Sequence, residues 1–188
     1  MRPPIRWCLL GLLVSVSASA RLGAVKLEEL VVYSDEIVVA KVTELLPTSG
    51  AERDLIYASA SVEQTLKGSL SGSFLFKASP QGICDDSKAI KNETALFFLN
   101  RADDGIYSIH YAGRGRMPLR EVGGKTYVSF WDEVLLPEDA PKIDGPDPQY
   151  SFIKSVELGY LEALIRKNAH RKPVYTNPED TIITTDAR

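Results

Sequence analysis

The chain has 188 residues, 44% of them hydrophobic and 25% charged, with a formal net charge of −3 and two cysteines. That is enough for one domain of ordinary size with its own core, plus a tail. The acidic balance excludes a surface built to hold nucleic acid or anionic lipid, and two cysteines exclude a disulfide framework.

Met1 to Ala20 opens with Arg2 and Arg6, runs apolar from Trp7 to Val16 and closes on Ala18-Ser19-Ala20. A basic start, a short apolar core and small residues at the exit are the pattern of a secretory signal peptide over residues 1–20. Its removal takes away two arginines and no acid, so the formal charge moves from −3 to −5. The apolar run is too short for a permanent span of a bilayer whose core is roughly 30 Å thick. The expected location is therefore periplasmic or extracellular, with no membrane insertion after cleavage. Cys84 is then the one cysteine left, so no disulfide is expected within the chain.

Residues 21–136 read as a β domain. KLEELVVYS offers one or two helical turns, and IVVAKVTELL follows as a first strand with Val38, Ala40 and Val42 alternating. In the second strand Ile56, Ala58, Ala60, Val62 and Leu66 share one face, and Tyr57, Ser59, Ser61, Glu63, Thr65 and Lys67 the other. Successive strand residues point to opposite sides, so this strand has one dry face and one wet face. The alanines in the inner row suit a tightly curved sheet, where inward side chains crowd one another. Gly68 ends the strand. Ser73 to Ala78 and Thr94 to Asn100 are apolar and aromatic on both faces, as central strands are.

Asp103-Asp104-Gly105 signals a turn before a fifth strand in which Tyr107, Ile109 and Tyr111 alternate with Ser108 and His110. MPLREV and KTYVSFW around Gly123-Gly124 predict a hairpin, because its tight turn needs positive φ at both central positions. Residues 137–150, rich in proline and acids, read as a linker. Ser155 is placed to cap a helix, VELGYLEALIRKN, whose stripe Val156, Tyr160, Leu161, Leu164 and Ile165 should lie against the sheet within residues 151–168. Residues 169–188 lack periodicity and read as a disordered tail. The fold class is thus mainly β: a five-stranded OB-like closed barrel with an added hairpin and a C-terminal helix.

The order SDEIVVAKVTELL, ASASVEQTLKG, FLFKASPQGICDDS and ALFFLN resembles the netrin-like fold of the tissue inhibitors of metalloproteinases, over roughly Ser34 to Gly113. The resemblance implies an OB-type barrel. In that family a Cys-x-Cys at the mature N-terminus places the terminal amine and carbonyl on the protease zinc. A loop cysteine at the position of Cys84 is tied to that segment by a disulfide. The mature start here, RLGAVKLEEL, has no cysteine, so metalloproteinase inhibition does not carry over.

Candidate sites are few. Cys84 sits in PQGICDD, where Asp85 and Asp86 oppose thiolate formation, so an inert cysteine is favoured over a reactive thiol. The acidic pairs Asp85-Asp86 and Asp103-Asp104 lack the spacing of a calcium loop, and His110 and His170 lack metal-ligand partners. Asn92-Glu93-Thr94 is a glycosylation sequon wherever that pathway exists. Arg114, Arg116 and Arg120 form a basic patch beside Tyr107, Tyr111 and Tyr127, while Phe130 and Trp131 read as core.

The expectation is an exported, non-catalytic binding module that uses no cofactor and no metal. It would meet another envelope or secreted protein through the barrel face and through Gln81, Cys84, Asp85, Tyr111, Arg114 and Arg116. A protease-inhibitor-like protein of altered mechanism and a thiol-dependent enzyme working through Cys84 are the alternatives. The residues do not set the oligomeric state.

Overall fold

The computed structural model describes residues 23–47, 56–79, 87–144 and 154–171. The expected signal peptide, the loop carrying Gln81, Cys84 and Asp85, and all but the first three residues of the expected tail lie outside the described residues.

The chain begins with a two-residue strand β1 (Val25–Lys26) and helix α1 (Leu27–Tyr33). Strands β2 (Glu36–Pro47), β3 (Ile56–Lys67), β4 (Ser73–Lys77), β5 (Thr94–Arg101) and β6 (Tyr107–Ile109) follow. β2 pairs antiparallel with β3 and β5, and β3 antiparallel with β4. β4 then pairs in parallel with β6, which returns antiparallel to β5 and closes the ring. The result is a five-stranded OB-like barrel, the expected fold class.

Side-chain size explains the closure. Ala58 stands opposite Phe76 and Ala60 opposite Phe74, so small residues of β3 leave room for the large ones of β4. Phe74 meets Phe97 and Tyr107 edge-on, at 6.3 and 5.7 Å between ring centres. With Val38, Ala40, Val42, Ala95 and Leu99 these rings fill the interior. Edge-on aromatic pairs add favourable electrostatics to the burial of apolar surface. The barrel is a packed core, with its centre taken by phenylalanine.

A second core lies outside one wall. β7 (Arg116–Val122) and β8 (Lys125–Phe130) form the expected hairpin, with φ of 59° at Gly123 and 76° at Gly124 in its turn. β7 also pairs with β5, so the hairpin extends the barrel sheet, and β11 (Lys154–Glu157) and β10 (Lys142–Asp144) continue it. β9 (Val134–Leu135) pairs with β1. Helix α2 (Leu158–Asn168) places Leu161 and Ile165 over Ile37, Val39, Leu96 and Phe98, together with Leu27 and Leu30 of α1. Tyr160, Leu161, Leu164 and Ile165 of the expected stripe therefore do pack on this core, whereas Val156 belongs to β11 and the helix starts only at Leu158.

Four expectations change. Leu66 leaves the inner row of β3 and joins the second core, because the pairing with β2 slips by one residue at Glu63 and again at Leu66. Each bulge inverts the facing of the residues beyond it. β4 is buried on one face only: Leu75, between Phe74 and Phe76, is 43% exposed. Ser155 does not cap the helix. It is buried in β11 opposite Ser129, and the extended residue before α2 is Glu157. Inside the stretch read as a linker, Lys142–Asp144 pairs with β11. Pairing with a strand distant in sequence outweighs local composition at both places.

Candidate functional site

Of the arginine–tyrosine patch one turn gathers Tyr111 and Arg114, whereas Tyr107 is buried in the barrel interior and Tyr127 lies on β8. β6 stops at Ile109 because the next residues double back over β5: His110 N donates to Phe98 O (2.8 Å), and Phe98 N donates to Gly115 O (2.8 Å). Between these clamps Tyr111, Ala112 and Gly113 all take positive φ, 54°, 48° and 85°. Left-handed residues usually occur singly and are usually glycine, so this run stores strain at Tyr111 and Ala112. Gly115 closes the turn where a Cβ would stand 2.9 Å from both the His110 and the Phe98 carbonyl oxygens.

The turn aims Arg114 at the end of the hairpin. Its guanidinium lies 5.2 Å from the centre of the Trp131 ring and 3.8 Å from the Glu133 carboxylate. A cation over an indole face with a carboxylate beside it is held by ring and charge together. Tyr111 packs against the second core, and its hydroxyl pKa is pushed up, first by burial and then by Glu133, with Arg114 opposing. Glu133 and the Arg114–Trp131 stack escape a reading of the sequence. Trp131 packs as expected against the second core, and the residues that use its ring lie 17 positions upstream.

Arg116 does not share this surface. It is 3% exposed and grips Glu93 with one guanidinium nitrogen, at 2.8 and 2.6 Å from the two carboxylate oxygens. Its carbonyl accepts from the Trp131 indole N–H at 3.3 Å. The pair ties the start of β7 to the chain entering β5 and is a structural clasp. Glu93 is the middle residue of the sequon, and Asn92 before it is exposed with φ of 69°. Arg120 turns to the Ser155 hydroxyl at 3.0 Å.

Other singled-out residues also have structural tasks. Asp104 accepts from the Ile106 amide (2.9 Å) and sits 3.9 Å from Lys77. Lys67 sends its ammonium to the carbonyl oxygens of Val31, Val32 and Ser34 at 2.7, 3.0 and 2.6 Å, where it meets the negative end of α1. Burial pushes the Lys67 pKa down, against Asp35 and Glu36, which raise it. Glu36 accepts from the Ser69 and Leu70 amides, and Gly68, at φ 86°, passes so close that a Cβ would strike its carboxylate.

On the far side of the barrel the outward rows of β3 and β4 form a wall of another kind. Tyr57 stands beside Lys77, Ser59 beside Leu75 and Ser61 beside Ser73. α1 and the hairpin pack on the opposite side, over β2 and β5, and α2 reaches only the end of β3, at Leu66. The wall has a floor of small hydroxyls with one leucine and one tyrosine standing on it. Two surface grooves lie elsewhere. One of about 490 Å³ runs beside α2 past Glu28, Asp139, Tyr160 and Lys167, and one of about 470 Å³ lies between the barrel and the hairpin near Gln64 and Glu121.

Among the described residues no cluster of three His, Cys, Asp or Glu could hold a metal ion, and no helix is long and apolar enough to cross a membrane. No protein-family model matches the chain, and no curated protein is measurably similar to it.

Proposed function

We propose that this chain is an exported, non-catalytic OB-like module that binds another protein on the wall formed by β3 and β4, which is uncovered among the described residues. The observation that carries this reading is Leu75, an apolar side chain 43% exposed at the centre of that wall. Leucine on an outer strand face contributes little to the fold, and OB barrels use this strand face for ligands. The filled interior supports a ligand met on the outside.

Charge favours a protein over a nucleic acid. Lys41 and Lys77 share the wall with Glu44, and Asp104 lies beside Lys77, so no basic track follows the strands. A single tyrosine, Tyr57, stands where a strand of nucleic acid would need a ladder of stacking rings. Export is supported by the three-part pattern of residues 1–20, and the resemblance to the netrin-like family supports the barrel scaffold on which the binding wall lies. The reading includes Gln81, Cys84 and Asp85, which follow β4 in the chain.

The test is recovery of the tagged chain from the exported fraction of its source. A single protein should accompany it at stoichiometric level and be lost from Leu75→Glu, whose circular dichroism stays native. Absence of a stoichiometric partner, or equal recovery with the variant, sinks the proposal.

A further inference from the structure

The outward side chains of β2, β3 and β4 stand in rows. Glu44, Ser59 and Leu75 lie side by side across the three strands, and Leu46, Tyr57 and Lys77 form the next row. Adjacent strands are ~4.8 Å apart and alternate residues ~6.8 Å, so Glu44 and Lys77 stand about 12 Å from each other across β3. Leu75 rises 43% exposed beside the short hydroxyl of Ser59. Lys41 marks the β2 side of the wall, opposite Ser61, and Asp104 marks the far side of β4, 3.9 Å from Lys77.

We propose that the protein met by this wall is a second copy of the chain, face to face about a two-fold axis, an inference that rests on the reading of the wall as a protein-binding surface. A two-fold contact uses one patch on both sides, so each group must find its complement at the mirrored position. An axis lying in the face and crossing β3 midway between Glu44 and Lys77 meets that condition. It sets Glu44 over Lys77 of the second copy, and Lys77 over its Glu44. The same rotation lowers each Leu75 onto the hydroxyl floor at Ser59, beside the other Leu75, and carries Lys41 toward Asp104. A leucine thus meets low ground, and acids meet lysines on both sides of it. A foreign protein would not require the two signs of charge to be arranged in this way. Two rows on three strands offer less than the ~800 Å² per partner of a standard interface, so the dimer is weak and concentration-dependent.

Sedimentation equilibrium of the purified exported chain tests this with no other protein present. The apparent mass should climb from one chain toward two as concentration rises, and the climb should weaken in high salt. Glu44→Lys and Lys77→Glu, each with native circular dichroism, should each weaken association at least about tenfold, since either reversal creates two like-charge pairs per dimer. An equimolar mixture of the two variants should dimerise as the native chain does, because every reversed residue then faces its opposite. The double variant should dimerise as well. A native chain that stays monomeric overturns the proposal, as does a dimer indifferent to either reversal or a mixture that remains monomeric. Failure here is distinguishable from failure of the underlying reading. A monomeric chain that recovers a different protein through Leu75 removes the second copy and keeps the wall. A dimer and a recovery both indifferent to Leu75→Glu remove the wall itself.

Discussion

The two halves of the barrel are built from strands of similar length and put to opposite uses. β2 and β5 bury both faces, Val38 and Phe97 inward and Ile37, Val39, Leu96 and Phe98 outward under the helices and hairpin. β3 and β4 bury the inward row, add only Leu66 to the second core, and on the outer face leave Tyr57, Ser59 and Ser61 half-buried and Leu75 exposed. A strand with two dry faces joins two cores and carries stability for both. A strand with one dry face is stabilised from inside alone, so its outer row can change at little cost to the fold. That freedom is what a binding wall requires.

The contrast is easiest to break at Phe98. Phe98→Ala opens a cavity in the second core and should lower unfolding stability by about 3–5 kcal/mol, read from urea midpoints. A smaller loss would mean that the helices contribute less to holding β5 than their packing indicates. Next comes the clasp between β7 and the entry to β5. Arg116→Met leaves Glu93 buried without its cation and should cost about 3–5 kcal/mol, with much of the loss recovered in a double variant that adds Glu93→Met. A double variant no more stable than Arg116→Met would show that charge burial is not the cause.

Gly68→Ala should cost at least ~1 kcal/mol, because φ there is positive and the new Cβ displaces Glu36 from the Ser69 and Leu70 amides. The pH effect is smaller and has a defined sign. The folded-state pKa of His110 lies below its unfolded value, so the unfolded chain binds the proton first. The stability linked to His110 is fully present above the unfolded imidazole value and is lost as pH falls below it and through the folded one. His110→Gln should flatten that part of the urea midpoint–pH curve. The smallest effect belongs to the uncovered wall: Leu75→Ser should stay within about 0.5 kcal/mol of the native chain. A loss comparable with that of Phe98→Ala would erase the distinction between the halves.

What could be read from the chain was whatever is local. The alternation of Ile56 to Val62 and the Gly123-Gly124 turn announced the curved strand and the hairpin, because each is a property of consecutive residues. The facing of Leu66 could not be read, since a bulge at Glu63 leaves no mark in the composition around it. Ser155 precedes a helical stripe and so resembles a cap, yet its pairing with Ser129 across 26 positions makes it a strand residue. At the turn, Tyr111 and Arg114 were visible as residue types. Their neighbours were not, for Glu133 and Trp131 arrive from the far end of the hairpin. Arg116 looked like a surface cation because its partner, Glu93, lies 23 positions away.

A photo-activatable phenylalanine placed at Leu75, and separately at Val122, gives the most direct measurement of where this barrel works. Both positions are 43% exposed, one on the uncovered wall and one beside the hairpin tip. Illumination of the exported chain should join position 75, and not position 122, to a single protein species. Crosslinking from 122 alone, equally from both, or from neither would contradict the account.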